Sequence, residues 1–355
     1  MKIIDLEAHF YTDDYIKYLR SKEDMPREVV RENDIQLLMT PDLWVPRSFI
    51  LEDKLLDMGD KRIEEMDEAG VDIQVLSLAV PGCEQFDTAG GTAMAKETND
   101  ELSEVIRRYP DRYVGLAALA PQDPLGAADE LERAVNELGL KGAKLNSHVR
   151  GEYLDDEKYR PIFEKAESLD VPIYLHPTLP SPQILKPYAD YGFPLAGPPL
   201  GFGAETILHT MRLIYSGLFD KYPGLKIVLG HLGEGLPFWL YRIDFYWLKP
   251  WVAAEIRPKI VHKPSYYINK NFIFTSSGMH FLPAFVCAYM ALGADIIAFG
   301  ADHPFETSKE SLESLGTLPI CEADKEKFYH INAEKILKID PENRVTNRSM
   351  QTFNF

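Results

Sequence analysis

The chain has 355 residues, with 55 acidic and 38 basic side chains, which gives a formal net charge of −17. A surface this acidic repels nucleic acid and anionic membranes, so neither is expected as a partner. The sequence contains no apolar run of about 18 residues, the length that a transmembrane helix needs. The first residues, MKIIDLEAHFY, predict a strand rather than a signal peptide, and three well-separated cysteines indicate a reducing cytoplasm.

Short apolar runs recur along the chain, and each is followed by a stretch with helical periodicity. The runs do not alternate strictly in polarity, which is typical of parallel strands covered on both faces. Strands are predicted at residues 3–6, 72–78, 113–119, 141–146, 171–176, 225–231, 272–276 and 295–301. Helices are predicted at residues 59–69, 92–109, 124–138, 158–169, 203–221, 234–247, 281–292 and 324–338. These eight alternating units predict a (β/α)8 TIM barrel, with a doubly wound sheet as the alternative.

Two long segments interrupt this repeat, residues 21–54 and residues 177–202. The first is charged and contains proline, and the second carries seven prolines, which we expect to exclude a regular element. Both leave the carboxyl ends of predicted strands, where the active sites of such barrels lie, so we predict loops that form lids or pocket walls. We expect residues 1–355 to form a single domain with a polar tail over residues 340–355.

Polar side chains fall at the carboxyl ends of four predicted strands. They are Glu7 and His9 after the first strand, His176 after the fifth, His231 after the sixth and Asp302 after the eighth. On a closed barrel these positions surround one opening. A single histidine at a strand end is more often structural, but the joint placement indicates a site. Two imidazoles and two carboxylates would suit Zn²⁺ or Mn²⁺, with a position left for water or substrate.

Four motifs occur together in this chain: ExHF at the start, YLHP after the fifth strand, GHLGEGLPFWLYRID after the sixth and DHPFE after the eighth. Together they resemble the non-oxidative decarboxylases of the amidohydrolase superfamily, and the resemblance extends from residue 3 to about residue 338. That group acts on hydroxylated aromatic acids such as γ-resorcylate, 2,3-dihydroxybenzoate and 5-carboxyvanillate, with aminocarboxymuconate semialdehyde as a more distant substrate. The resemblance implies that one divalent metal ion is held by Glu7, His9, His176 and Asp302.

The resemblance implies decarboxylation of an ortho-hydroxylated aromatic acid. Direct loss of CO2 from an arene leaves an aryl anion that cannot delocalise, whereas protonation of the ring carbon first avoids that anion. A metal that chelates the ortho oxygen and one carboxylate oxygen holds the acid and favours the phenolate. We expect Asp302 to take the phenolic proton and to donate it to the ring carbon. His231 and Glu234 are implied as a second catalytic pair that tunes this transfer.

Further residues are predicted to contact the aromatic acid. Arg47 and Arg242 are candidates for binding its carboxylate, because a guanidinium binds carboxylates in fork geometry. His303 is a third candidate because it directly follows Asp302. The predicted aromatic walls are Phe202, Phe305 and Trp44. Several segments look like the 5-carboxyvanillate enzyme, but His9 adds a ligand and Phe305 replaces a tyrosine, so the identity of the acid stays open.

Two classes of alternative remain at this point. A hydrolase of the same superfamily needs a metal-activated water, and Lys144 lies in the fourth strand, where many two-metal relatives carry a carbamylated lysine. A hydratase of the same branch would need only one metal ion. The second class is a barrel without catalytic activity that serves as a binding or scaffold subunit. The glycine-rich motifs of dinucleotide and nucleoside triphosphate sites do not occur, so no organic cofactor is expected.

The helical stretch at residues 234–251 carries many aromatic side chains, in the sequence EGLPFWLYRIDFYWLKPW. Apolar side chains on the outside of a helix indicate a contact with another protein surface. Members of the resembled group are dimers or tetramers, so we expect a homodimer or a homotetramer.

Overall fold

The computed structural model describes residues 1–340, so residues 341–355 of the predicted tail lie outside the described part. Twelve strands occur in the described part. In chain order they are β1 (Ile4–Phe10), β2 (Arg27–Val30), β3 (Ile35–Thr40), β4 (Leu43–Arg47), β5 (Ile73–Leu78), β6 (Tyr113–Gly115), β7 (Ala117–Ala118), β8 (Ala143–Asn146), β9 (Ile173–His176), β10 (Ile227–Leu229), β11 (Phe272–Thr275) and β12 (Ile297–Ala298).

All strands except β2–β4 belong to one ring of parallel strands. Backbone ladders run through β1–β5–β6 and through β7–β8–β9–β10–β11–β12, with Leu116 between β6 and β7. The segment after β12 bonds to β1: the amide of Asp302 donates to Glu7 O at 3.0 Å, and the amide of His9 donates to His303 O at 2.7 Å. The (β/α)8 barrel predicted from the sequence is confirmed, with β6 and β7 together forming its third strand.

Helices lie between the strands along the chain. They are α1 (Asp13–Ser21), α2 (Phe49–Leu56), α3 (Asp60–Ala69), α4 (Thr88–Arg108), α5 (Pro124–Asn136), α6 (Arg160–Leu169), α7 (Lys186–Ala189), α8 (Phe193–Ala196), α9 (Gly201–Tyr215), α10 (Leu218–Lys221), α11 (Leu236–Ile243), α12 (Phe245–Leu248), α13 (Pro264–Asn271), α14 (Leu282–Leu292), α15 (Ser308–Leu315), α16 (Glu322–Glu326) and α17 (Asn332–Leu337). Within residues 1–340, none of them has both the length and the apolarity to cross a membrane.

Helix α5 shows how local sequence sets these boundaries. The Asp123 side chain caps the helix by accepting a hydrogen bond from the amide of Gly126, and Pro124 occupies the first turn, where proline is tolerated. Ala127 and Leu131 are spaced by about one turn and are buried on the same face. The predicted helix is therefore present, and its buried face packs against the ring.

The first insertion has regular structure and is not the loop that the sequence predicts. Strands β2, β3 and β4 form a three-stranded antiparallel sheet, and α2 follows it. Side chains alternate along β4, so that Leu43, Val45 and Arg47 are buried while Trp44 is 42% exposed. Trp44 and Arg47 therefore lie on opposite faces of this sheet, and the aromatic wall from Trp44 stays a prediction.

The second insertion contains two helices of one turn each, α7 and α8. Pro187 and Pro194 lie in the first turns of these helices, where the backbone N–H has no partner within the helix. The expectation that prolines exclude a regular element over residues 177–202 is therefore wrong. Strand β1 is also longer than predicted, because it continues to Phe10 and includes Glu7 and His9.

Candidate active site

Four side chains converge at one end of the ring. Glu7 and His9 lie on β1, His176 ends β9 and Asp302 follows β12. One potential ligand atom of each residue lies within 4.8 Å of those of the other three. His9 Nε2 is 3.0 Å from Asp302 Oδ1, and His176 Nε2 is 3.5 Å from Glu7 Oε1. The fold thus brings together the four residues that the sequence suggests as metal ligands.

Two atoms of this cluster lack the hydrogen bonds that buried polar atoms normally make. Glu7 Oε1 and His9 Nε2 are buried and have no hydrogen-bond partner of normal geometry among the described residues. The other imidazole nitrogens are engaged, because His176 Nδ1 contacts Pro177 O at 2.7 Å and His9 Nδ1 contacts Ser77 Oγ at 3.3 Å. Both Nε2 atoms therefore face the cluster. The set of two nitrogens and two carboxylates fits a divalent metal ion.

Three hydroxyl groups orient the Glu7 carboxylate. Tyr174 Oη and Ser277 Oγ donate to Glu7 Oε2, and Thr275 Oγ1 donates to the same oxygen at 2.9 Å. These bonds occupy Oε2 and leave Oε1 directed at the cluster. The sequence analysis missed the three residues because uncharged hydroxyls in apolar strands give little signal. Strand alternation offered one clue, since it places Tyr174 on the same side of β9 as His176.

The surroundings favour an ionised Glu7 and a neutral His176. Burial opposes the ionisation of Glu7, but the nearby imidazoles of His9, His231 and His176 hold the pKa of Glu7 below its ordinary value. Burial, together with the nearby Lys144 ammonium, holds the pKa of His176 well below its usual range. An ionised carboxylate and a neutral imidazole are the protonation states that bind metal ions.

A buried carboxyl group on β1 supports the backbone of the cluster. Asp5 accepts hydrogen bonds from the amide of Glu7 at 3.2 Å and from the amide of Ala301 at 2.8 Å. Burial raises the pKa of Asp5 to about 7. These contacts join β1 to the residue that precedes Asp302, and they fix the backbone beneath two members of the cluster.

The predicted catalytic pair, His231 and Glu234, lies on a left-handed turn. Residues 231–235 all have positive φ, from 52° at His231 to 90° at Gly235. Positive φ strains residues that carry a Cβ atom, and such strain is concentrated at functional sites. The turn places His231 Nδ1 2.6 Å from Glu234 Oε1 and His231 Nε2 3.9 Å from Asp302 Oδ2. Glu234 therefore fixes which ring nitrogen of His231 faces Asp302.

Asp302 lies between two histidines, with Oδ1 facing His9 and Oδ2 facing His231. Burial opposes the protonation of His231, but the charge of Glu234 and the nearby Asp302 carboxylate raise the pKa of His231 well above its ordinary value. These two neighbours therefore favour the protonated imidazole. Gly278 leaves room for it, because a Cβ atom at Gly278 would lie 2.9 Å from His231 Cδ2.

Arg47 is buried beside the end of β1. Its Nη2 donates to Val80 O at 2.7 Å, and its guanidinium lies 4.9 Å from the ring centroid of Tyr11, two residues after His9. Arg47 Nε and Nη1 are buried, and within residues 1–340 neither has a hydrogen-bond partner. Unpaired donors on a buried cation are costly, so these two nitrogens indicate a position for an anionic ligand.

One of the predicted aromatic walls, Phe305, lies beside the cluster, and another, Phe202, lies at the start of α9. The ring centroid of Phe305 lies 5.6 Å from that of His9, and Phe305 is 39% exposed. Phe202 lies in the first turn of α9 and precedes Gly203, where a Cβ atom would be 3.0 Å from Glu234 Oε2. The start of α9 therefore packs against the catalytic pair.

Two predicted substrate contacts lie elsewhere. His303 is buried, with Nε2 3.8 Å from Glu65, and it lines a cavity of 460 Å³ between α3 and α15. The side chain of His303 faces Glu65 on α3, and its predicted contact with the substrate stays a prediction. Arg242 is exposed on α11, where its guanidinium lies 5.2 Å from the ring centroid of Phe245. Its predicted role stays a prediction.

Sequence comparison relates the chain to known proteins. It matches the amidohydrolase family model over residues 4–339. It is 40% identical over 299 residues to the γ-resorcylate decarboxylase of Polaromonas sp. JS666, and the match covers 82% of this chain and 90% of that protein.

Solved structures show the same relationship. The 5-carboxyvanillate decarboxylase from Sphingomonas paucimobilis superposes with a TM-score of 0.86 and 34% identity, over 96% of this chain and 99% of that chain. A dihydroxybenzoic acid decarboxylase from Polaromonas sp. JS666, solved with bound manganese and the inhibitor 2-nitroresorcinol, gives a TM-score of 0.83 and 36% identity, over 96% of this chain and 98% of that chain. The fold, the site and these matches show that the chain belongs to the amidohydrolase family.

Proposed function

We propose that this chain is a metal-dependent decarboxylase of ortho-hydroxylated aromatic carboxylic acids. The cluster of Glu7, His9, His176 and Asp302, in which Asp302 is shared between His9 and His231, carries the proposal. The relatives support it, because they are decarboxylases of dihydroxybenzoic and carboxyvanillic acids. We propose one Mn²⁺ or Zn²⁺ per chain and no organic cofactor. The manganese in a similar structure supports Mn²⁺ as the first ion to test.

Binding of the acid follows from the charges around the cluster. A bound divalent ion supplies Lewis acidity toward the carboxylate and the ortho oxygen of the acid. Arg47 offers two unpaired N–H donors for negative charge, and the ring of Phe305 lies 5.6 Å from that of His9, which supports its proposed contact with an aromatic ring. Phe202 remains a proposed second wall. Arg242 remains a proposed second contact for an anionic group.

Asp302 is placed to move the proton. The phenolic proton of the acid passes to Asp302 on binding, and Asp302 donates it to the ring carbon that carries the carboxylate. The bond between that carbon and the carboxylate then breaks, its electron pair returns to the ring, and CO2 leaves. The product phenolate takes a proton from solvent on release. His231, held cationic by Glu234, stabilises the ionised form of Asp302 before and after the transfer.

Lys144 bears on the hydrolase alternative. Its ammonium is buried and donates to the carbonyl oxygen of Leu78. Burial lowers the pKa of Lys144 to about 8, while the charges of Glu84, Glu7 and Asp302 oppose that change. A carbamate at this position would add an anion beside those carboxylates and would remove the donor to Leu78. The contact therefore favours a one-metal decarboxylase over a two-metal hydrolase.

The first experiment is an ultraviolet assay of purified protein with Mn²⁺ or Zn²⁺ and a panel of ortho-hydroxybenzoates. The panel contains γ-resorcylate, 2,3-dihydroxybenzoate and 5-carboxyvanillate. We expect the acid spectrum to disappear and the phenol to form, with one equivalent of metal per chain. Protein that binds one metal ion tightly but turns over none of the panel would contradict the proposal and favour a hydratase or hydrolase. Two equivalents of metal would favour the hydrolase.

An aromatic surface on α11, α12 and the residues after them supports self-association. Phe238 is 73% exposed and Trp251 is 72% exposed, and Trp239, Tyr241 and Tyr246 are exposed nearby. A surface of this kind is costly in water and marks a protein interface. We propose a homodimer or a homotetramer that covers it. Light scattering is expected to give the mass of two or four chains, and a monomer at micromolar concentration would contradict the proposal.

A further inference from the structure

Three charged side chains meet where the first insertion joins α1. Arg20, near the end of α1, donates from Nε to Glu28 Oε1 at 2.8 Å and from Nη2 to Glu52 Oε2 at 2.5 Å. Glu28 lies on β2 and Glu52 lies on α2, and their side chains are 1% and 10% exposed. Arg20 is 37% exposed and covers both carboxylates from the solvent side. We call these three residues the Arg20 bridge.

The Arg20 bridge lies beside Arg47. Glu28 pairs with Leu37 and Arg47 pairs with Ile35, so both charged residues lie on the buried face of the sheet, in neighbouring rows across β3. Burial and the Glu52 carboxylate raise the pKa of Glu28 to about 7, while the charges of Arg20 and Arg47 oppose the rise. Arg47 therefore lies within electrostatic range of Glu28.

Glu28 and Arg47 both carry buried atoms without hydrogen-bond partners, and these atoms would pair if the two side chains moved together. Glu28 Oε2 is buried without a hydrogen-bond partner in the described part of the chain, and so are Arg47 Nε and Nη1. A carboxylate and a guanidinium in this state attract each other strongly, because neither is solvated. In the structure Glu28 is instead engaged through its other oxygen by Arg20, and Arg47 keeps two free donors.

We propose that Arg20 is a positioning residue that occupies Glu28 and Glu52 and thereby keeps Arg47 free to bind an anionic substrate. Arg20 and Arg47 are the two guanidinium groups beside the carboxyl groups of Glu28 and Glu52. Without Arg20, the guanidinium that remains near Glu28 is that of Arg47. Glu28 then competes with the substrate for Arg47. The inference rests on the proposed function, because the substrate anion that Arg47 binds is the carboxylate of an aromatic acid.

The decisive comparison is between Arg20→Met and the double variant Arg20→Met with Glu28→Gln. In Arg20→Met we expect the KM for γ-resorcylate to rise about tenfold, while kcat changes by less than about threefold, because Asp302 and His231 are untouched. In the double variant no carboxylate at position 28 competes for Arg47. We therefore expect its KM to return to within about threefold of the unmodified protein.

A binding measurement separates this inference from the proposed function. The probe is 2-nitroresorcinol, whose nitro group presents two oxygens where the acid has a carboxylate, and whose visible absorbance reports binding without turnover. Among the unmodified protein, Arg20→Met and the double variant, we expect the dissociation constant of the probe to follow the same order as KM. If the unmodified protein binds the probe but does not turn over any acid, the proposed function fails. The order of dissociation constants among the variants still decides the role of Arg20.

Arg31→Met is the matched control, because Arg31 is an exposed arginine of the same insertion. It is expected to behave like the unmodified protein. Arg20→Lys, which contacts one carboxylate at a time, is expected to give an intermediate KM and replaces Arg20→Met if that variant does not fold. A role of Arg20 that does not act through Glu28 would raise KM equally in the single and the double variant. That result, or an unchanged KM in Arg20→Met, overturns the inference.

Discussion

Replacing Asp302 by Asn is expected to lower the turnover of γ-resorcylate by at least about a thousandfold. An amide of the same shape keeps an oxygen for the metal cluster, but it cannot take the phenolic proton or donate it to the ring carbon. The geometry supports this division of roles, since Oδ1 of Asp302 faces His9 at 3.0 Å and Oδ2 faces His231. The loss is measured as kcat from the decrease in ultraviolet absorbance of the acid.

Two further measurements make the Asp302 result specific. The Mn²⁺ content of Asp302→Asn shows whether the metal ion is still bound, because loss of the ion would also stop turnover. Glu306→Gln serves as the matched control, since Glu306 lies four residues later in the same loop and is exposed. It should keep most of the activity. Retention of even about a tenth of the activity in Asp302→Asn removes Asp302 as the proton donor.

Replacing Glu7 by Gln is expected to weaken Mn²⁺ binding by at least about a hundredfold and to abolish turnover at micromolar metal. The change removes the negative charge at Oε1. If the amide nitrogen of the glutamine takes the place of Oε2, it faces the three hydroxyl groups that donate to the carboxylate in the unmodified protein. Tyr174→Phe removes one of these donors and leaves the charge, so a smaller loss of about tenfold is expected.

Calorimetric titration of the metal-free protein with Mn²⁺ measures both effects. Glu64→Gln, an exposed change on α3, provides the control with the same change of charge. Unaltered stoichiometry and affinity in Glu7→Gln would show that the ion binds elsewhere. An equal loss of Mn²⁺ affinity in Glu7→Gln and Tyr174→Phe would show that the hydroxyl groups act on the ion itself and not through the carboxylate of Glu7.

The barrel and the cluster could be predicted because both follow from short-range patterns. Buried parallel strands are continuous apolar runs, and polar residues at their carboxyl ends must meet at one opening. Glu7, His9, His176 and Asp302 each lie at such a position, and their joint placement gives the signal. Tyr174, Thr275 and Ser277 give no such signal, because their function is to contact Glu7 across the barrel, and that contact depends on which strands are neighbours.

The errors have equally local causes. His303 was a candidate because it follows Asp302, but adjacency in the sequence does not decide where a side chain points, and His303 lies beside Glu65. The first insertion is built from strands of four to six residues, for which apolar alternation is too brief to separate a strand from a loop. The role of Arg20 depends on a bridge between α1, β2 and α2, and no spacing in the sequence indicates that these three elements meet.

The contact between β1 and the segment after β12 has a consequence for stability. The barrel is joined there by backbone bonds of Glu7, His9, Asp302 and His303, and three of these residues also belong to the cluster. An ion held by the cluster would link β1 to the segment after β12, from residue 7 to residue 302 of the sequence. Cross-links that close long loops restrict the unfolded chain most, and a ligand of the native state adds its own binding energy to folding. Metal supply would then govern not only turnover but also how much folded protein a cell retains.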